Sequence, residues 1–168
     1  TDGSVHLNHG GIEMGQGTHT KIAQLVSKSF GIPYEKVQIS STNTSKVPNT
    51  SASAASATTD LNGAAALDAV KKIKLNLEKF IKNKYKISVK NKVIYKNEKI
   101  FIGKYIFKFN DIVQEAYLNR ISLSSNGFYS TPKINFNKKK FYGRPFLYFC
   151  YGAAVTEVII DTLTGENI

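Results

Sequence analysis

Gly10-Gly11-Ile12-Glu13-Met14-Gly15-Gln16-Gly17-Thr18-His19-Thr20 decides how this chain is read. Before it, Ser4 to Asn8 alternate as a short strand does, with Val5 and Leu7 on one face. After it, Ile22, Leu25, Val26 and Phe30 recur at i, i+3, i+4 and i+8, the stripe of an amphipathic helix. The stretch is therefore a strand-to-helix loop. Its glycines permit positive φ and leave backbone N–H groups unshielded. The helix behind it offers an N-terminal potential worth about 0.3–1 kcal/mol to an anion. Gln16, between two glycines, brings two donors and an acceptor, enough to read the edge of a heterocycle. No Gly-Lys-Ser/Thr follows, so this is not a phosphate loop, and Gly-x-Gly-x-x-Gly spacing is missing too. A ligand-free glycine turn is the competing reading of the same residues.

Working outward, Thr18 is expected to cap a helix reaching Phe30, with Gly31 as its terminator and Pro33 blocking continuation. Val37 to Ser40 reads as a strand and Thr42 to Ser53 as a polar loop. A second small-residue run, Pro48-Asn49-Thr50-Ser51-Ala52-Ser53-Ala54-Ala55-Ser56, feeds a long helix. That helix is expected to start between Ser53 and Asp60 and run to Tyr85. Ala66, Val70, Ile73, Leu77, Phe80 and Ile81 form its apolar stripe, and Gly63-Ala64-Ala65-Ala66 permits close packing. Such a run is more often a tightly packed helix start than a ligand site; Ser56 and Thr58 are the hydroxyls it could offer. Strands are expected at Ile87–Val89 and Val93–Tyr95 around a turn at Lys90–Lys92, and again around Gly103. A helix capped by Asn110 or Asp111 carries Ile112, Val113, Ala116 and Tyr117. Ile121 to Ser124 resumes alternation, Phe146 to Ile160 reads as strand, and Thr164-Gly165 as a turn where a partner strand should begin. The class is α+β, one piece of a larger domain.

At 168 residues and 42% hydrophobic content, the chain is large enough for one domain with a real core. No apolar run approaches the roughly 20 residues of a membrane span, and the polar start Thr1-Asp2-Gly3-Ser4 has no signal-peptide pattern. It also lacks an initiator methionine, so truncation or processing is expected there. The net charge of +11 raises a nucleic-acid-binding module as a reading of another class. It rests on lysines from Lys71 to Lys108 mixed with Asn and Ile, while the only arginines are Arg120 and Arg144. A solvated lysine surface, or one meeting an acidic subunit, ranks ahead of it.

His6, His9 and His19 lack metal-site spacing, and His9 and His19 are expected to hydrogen-bond within the loop. Glu13 has no visible carboxylate partner for acid–base work and reads as structural or surface-facing. Cys150, the single cysteine, sits in an apolar run where a buried reduced thiol is expected. It cannot by itself hold an iron–sulfur cluster.

His9 to Lys21, as His-Gly-Gly-x-Glu-Met-Gly-Gln-Gly-x-His-Thr-Lys, together with Val47-Pro48-Asn49-Thr50-Ser51 and Asp60-Leu61-Asn62-Gly63, resembles the molybdopterin-binding large subunit of the molybdenum hydroxylase family. That family holds xanthine dehydrogenases and aldehyde oxidases. Gly127-Phe128-Tyr129-x-Thr131-Pro132-Lys133 is similar to the xanthine dehydrogenase version. Arg144-Pro145-Phe146, Tyr151-Gly152-Ala153-Ala154, Glu157-Val158 and Asp161 to Gly165 extend the likeness over nearly the whole chain; Leu75 to Phe109 matches weakly.

The resemblance implies a partial molybdopterin-binding domain over residues 1–168, truncated at both ends, and a molybdenum pyranopterin (molybdopterin or its dinucleotide form). The molybdenum is held by the cofactor's own dithiolene and oxygen or sulfur groups, with no side-chain ligand. By motif match, Gln16 hydrogen-bonds the pterin, while Met14, Gly15 and Gly17 shape its wall. Ala55 takes the position whose main chain lies beside the metal, and Ser56 and Thr58 take pterin-contacting positions. Thr58 departs from the family's usual Ser by a methyl. The implied parent is a cytoplasmic, oligomeric oxidoreductase of purine metabolism that oxidises hypoxanthine and xanthine to urate with water-derived oxygen. Its iron–sulfur clusters and FAD lie in another domain or subunit; an aldehyde oxidase-like or other heterocycle hydroxylase is the alternative. The family's Gly-Glu-Pro-Pro catalytic glutamate, its Gly-Gly-Phe-Gly loop and its substrate-binding contexts are not in this sequence, so no catalytic residue is assigned.

Overall fold

The computed structural model describes every residue except Thr1, Val47, Pro48, Asn49, Ser51, Ser53, Ala55 and Cys150. The expectations placed on Val47–Asn49, Ser51, Ser53, Ala55 and Cys150 lie outside the described residues. The chain forms two compact units, Thr1–Ser130 and Thr131–Ile168.

In the first unit, β1 (Val5–Leu7) leads through the glycine loop to α1 (Thr18–Phe30), which returns the chain to β2 (Val37–Ile39). The two strands pair in parallel, Val5 opposite Val37 and Leu7 opposite Ile39. Parallel strands need a crossover, and α1 supplies it. Ile22, Ala23, Val26 and Phe30 are buried as the stripe predicts. α1 packs on α2 (Thr58–Lys84), whose Ala66, Val70, Leu77, Phe80 and Ile81 are buried. A β-carbon on Gly63 would lie 2.9 Å from Leu25 Cδ1, so the small residues do bring the two helices close.

β3 (Val93–Lys96), β4 (Lys99–Ile102) and β5 (Tyr105–Lys108) form an antiparallel meander that buries Tyr95, Ile100 and Ile102. Asn97 and Glu98, at φ 50° and 56°, make the two-residue turn whose twist suits a hairpin. The Glu98 N–H donates to Gly31 O at 2.7 Å, and Lys36 pairs with the Glu98 carboxylate. Gly31 has φ 66°, and a β-carbon there would meet Lys96 N and Tyr95 C at 2.6 Å. Glycine is required at that position on both counts. α3 (Phe109–Leu118) follows, burying Phe109, Ile112, Val113 and Ala116.

Four expectations for this unit are corrected. Thr18 is not the cap: it is buried in the first turn, and Gly17 holds the cap position without a side-chain cap bond. Likewise neither Asn110 nor Asp111 caps α3, since both lie inside it and Lys108 precedes it. Ile87–Val89 is not a strand: Ile87 N–H donates to Lys82 O and Lys86 N–H to Asn83 O at the end of α2, with Lys86 at φ 53°, and Ser88 O accepts from Asn91 N–H in the next turn. That is a Schellman ending, and the burial of Ile87 is its hydrophobic contact. Ile121–Ser124 forms no ladder either. Its backbone runs along α2: Asn76 donates to Ser122 O, Lys72 to Asn126 O, and Phe128 N–H to Asp68.

In the second unit, β6 (Asn135–Asn137) and β7 (Tyr142–Arg144) make a hairpin. Asp161 closes the turn before Gly165, accepting from Leu163 and Thr164 N–H groups. Phe146 to Ile160 was expected to be a strand. Among the described residues it pairs only through a bridge from Ile160 to Asn167. Its Phe146, Tyr148, Phe149, Tyr151 and Val155 are exposed. A strand needs a ladder partner, and beyond that bridge the described residues of this unit supply none.

Candidate functional site

The glycine loop is built around its own side chains. Glu13 folds back so that Oε1 accepts from Gly15 and Gly17 N–H (both 2.9 Å) and Oε2 from His19 N–H at 3.0 Å. Those donors, His19's first and Gly17's next, hold the Glu13 carboxyl below its usual range. The N–H groups expected to stand unshielded at the start of α1 are therefore occupied, and Glu13 is structural, as its lack of a partner suggested. Gln16 closes the other side: Met14 N–H donates to Oε1 at 2.6 Å, and Nε2 donates to Ile12 O at 2.8 Å.

Beneath the loop lies His9, buried to 6%. Its Nδ1 accepts from Gly11 N–H at 3.0 Å, and its Nε2 lies 2.9 Å from His19 Nδ1. The pairing expected of His9 and His19 is present. Burial, with the nearby His19 and Lys46, drives the His9 pKa down to about 4, so the ring is neutral. Because Nδ1 accepts, the proton sits on Nε2 and is donated to His19. His6, by contrast, pairs with Ser40 Oγ at 2.7 Å. Among the described residues, no group of His, Cys, Asp or Glu could hold a metal ion.

The two small-residue segments meet here. Asn62, buried on α2, accepts from Gly10 N–H at 3.1 Å and donates to Thr58 O at 3.2 Å. Thr42 Oγ1 donates to Gly11 O at 2.7 Å. A β-carbon on Gly11 would lie 2.5 Å from Thr58 Cγ2, so the methyl of Thr58 rests on Gly11. Gly11, His9 and Thr58 thus form one joint between the loop and the start of α2. Ser56 is exposed in the turn before α2 at φ 60°, with Ala57 N–H donating to Ala54 O. Asn62 and Thr42 were missed as site residues by sequence reasoning. Asn62 stood in the Asp60-Leu61-Asn62-Gly63 match, an amide in an otherwise Ala- and Gly-rich turn, but no role pointed to it; Thr42 had no signal.

What the loop presents outward is specific. Met14, Gly15 and Gln16 are exposed, and a β-carbon on Gly15, at φ 98°, would meet nothing within 4 Å. Gln16 has used one amide hydrogen and one lone pair in the loop and keeps one of each. A donor and an acceptor stand together beside bare backbone and a thioether, a set that suits the edge and face of a polar heterocycle. Two clefts among the described residues lie elsewhere, one of about 460 Å³ at Gly31 and Glu98, the other of about 680 Å³ between Lys79 and Arg120.

The lysines are widely used within the fold. Lys74 donates to Ser29 O and lies 4.2 Å from the Tyr95 ring centre, Lys84 pairs with Glu115, and Lys72 with Asp68.

Residues 1–167 match the family described as the molybdopterin cofactor-binding domain, and the chain belongs to that family. Among curated relatives it is 46% identical over 166 residues to a xanthine dehydrogenase of Oryza sativa subsp. japonica, covering 99% of this chain and 11% of that protein. It is 45% identical over 167 residues to a xanthine dehydrogenase/oxidase of Felis catus, with the same coverage. The chain thus spans about a tenth of the length of these relatives. Among solved structures, the fold matches a reconstituted CO dehydrogenase from Oligotropha carboxidovorans with a TM-score of 0.66 at 20% identity, over 77% of this chain and 17% of that one. The outward set of Met14, Gly15 and Gln16 fits the group for which the family is named.

Proposed function

We propose that this segment supplies part of the molybdopterin site of a xanthine dehydrogenase-type molybdenum hydroxylase. The observation that carries the proposal is identity of 46% and 45% to proteins of that name over 99% of the chain, the glycine loop included. Gln16 would hydrogen-bond the pterin with its remaining donor and acceptor. Met14, Gly15 and Gly17 would form the wall beside it. Ser56 and Thr58 would add hydroxyl contacts, and Ala55 would place main chain next to the molybdenum. Bound there, the molybdenum pyranopterin supplies oxygen transfer and two-electron oxidation. This chain's own residues bind and orient it: Glu13 and His9 hold the loop's shape, and Asn62 fastens the loop to α2.

For the whole protein, the same reading gives a cytoplasmic, oligomeric enzyme that hydroxylates hypoxanthine and xanthine with water-derived oxygen. Electrons would pass through iron–sulfur clusters and FAD held in another domain or subunit. Catalytic and substrate-binding residues would come from outside residues 1–168. Assaying the intact parent with hypoxanthine, xanthine and an aromatic aldehyde tests this. Purines should be preferred; preference for the aldehyde would overturn the purine assignment, and a parent without pterin would overturn the site.

A further inference from the structure

We propose that His9 is a positioning residue for the cofactor loop: its buried ring orients His19 so that His19 offers a ring N–H beside the Met14–Gly17 turn. This rests on the loop being a molybdopterin site. Two contacts fix the geometry. Gly11 N–H donates to His9 Nδ1 at 3.0 Å, which leaves the His9 proton on Nε2. That nitrogen is 2.9 Å from His19 Nδ1, and the rings meet edge to face with centroids 4.8 Å apart. His19 Nδ1 must then accept, so the ring hydrogen of His19 sits on Nε2, the nitrogen that does not face His9. The order is directional: backbone Gly11 sets His9, and His9 sets His19. His19 occupies the first turn of α1 three residues after Gln16, and its own backbone N–H is tied to Glu13 at 3.0 Å. The loop therefore presents two side-chain donors whose orientation is fixed before any ligand arrives, the Gln16 amide and the His19 imidazole. A donor held in its binding orientation loses less freedom on association than a mobile one.

The two halves of His9 can be separated. Asparagine places an amide oxygen near Nδ1 and keeps the bond from Gly11, but does not reach His19. Glutamine places its amide nitrogen near Nε2 and keeps the bond to His19, but loses the acceptor for Gly11. His9→Asn, His9→Gln, His19→Ala and His9→Asn/His19→Ala would be made in the intact parent, measuring pterin and molybdenum per protomer and the thermal midpoint. The expected result is about a tenfold loss of occupancy in His9→Asn and in His19→Ala, no further loss in the double variant, and retention within about twofold in His9→Gln. Retention in His9→Asn with loss in His9→Gln would mean that only the Gly11 contact matters, and would overturn the proposal. Full occupancy in His19→Ala would overturn it whatever the His9 variants do, which covers the case in which those fail to fold. If both His9 variants lose cofactor, additive losses in the double variant overturn it and non-additive losses support it. A wild-type parent with no pterin would instead overturn the molybdopterin reading itself.

Discussion

The methyl of Thr58 rests on the α-carbon of Gly11: a β-carbon built at Gly11 would stand 2.5 Å from Thr58 Cγ2 and 3.1 Å from His9 Nδ1. Two segments with all of α1 and β2 between them are fastened at this contact. Gly11→Ala should therefore destabilise by about 1–3 kcal/mol through overpacking. Thr58→Ser alone should cost less than about 1 kcal/mol, because only a methyl is lost. In the Thr58→Ser background Gly11→Ala should cost measurably less, with the contact to His9 keeping the relief partial. Thermal melts of the four proteins check this; strictly additive losses would show that the two residues do not press on each other.

Gly127 lies against the backbone of α2, where a β-carbon would be 1.8 Å from Ala65 O and 2.6 Å from Ala69 N. Backbone cannot swing aside as a side chain can. Gly127→Ala should detach the stretch that Asn76, Lys72 and Asp68 hold along the helix, at a cost of roughly 3 kcal/mol or more. Hydrogen exchange at Phe128 N–H, which donates to Asp68 at 3.1 Å, should rise in the variant. Unchanged protection there would contradict the assignment.

All three helices end in one pattern, an N–H five residues on returning to the last turn: Ile32 to Ser27, Ile87 to Lys82, and Ile121 to Ala116. The residue before each donor is left-handed, and it is Gly31, Lys86 and Arg120 respectively. Only Gly31 suits that conformation. Lys86→Gly and Arg120→Gly should each stabilise by about 0.5–1 kcal/mol, whereas Gly31→Ala should be severely damaging. Denaturant unfolding checks the sign; destabilisation by both glycines would mean that their side chains contribute more than the strain costs.

His9 makes stability depend on pH. Its folded pKa of about 4 lies below the ordinary 6.5, chiefly through burial, then through His19 and Lys46, with Glu13 acting oppositely. Between those values the unfolded chain binds more protons. Stability from this group is therefore complete above about 6.5, falls as the pH drops toward 4, and levels off below. The total is on the order of 3 kcal/mol. His9→Gln should remove the dependence, so the gap in melting temperature between wild type and variant should narrow on acidification. Parallel curves would contradict it.

These contacts mark what could be read from residues alone. The α1 stripe, the α2 stripe, Gly31 and the Gly165 turn were legible because period and glycine placement encode them directly. The Lys86 and Arg120 endings were not, since no residue type there announces a left-handed backbone, and Ile87 was therefore read as a strand. Phe146 to Ile160 has strand composition, but composition does not supply a ladder partner. In the site, the His9–His19 pair could be anticipated from the loop. The return of Glu13 onto Gly15, Gly17 and His19 could not, because it depends on backbone geometry that only the folded loop has. Asn62 meets Gly10 across 52 positions, a contact that local pattern does not reach.

The central claim is that the outward edge of this loop holds a pterin, and Gln16→Ala in the intact parent tests it most directly. The Gln16 side chain is exposed and, among the described residues, bonds to Met14 and Ile12 within its own loop, so its loss should move the melting temperature little. Removing its bonds to a buried ligand costs roughly 1–3 kcal/mol each, so molybdenum per protomer should fall by about tenfold or more. Gln16→Glu should do at least as much harm, placing a carboxylate against Ile12 O and near an anionic cofactor. The account predicts a nearly normal melt with depleted molybdenum. Full molybdenum content, or loss only in proportion to unfolding, would contradict it.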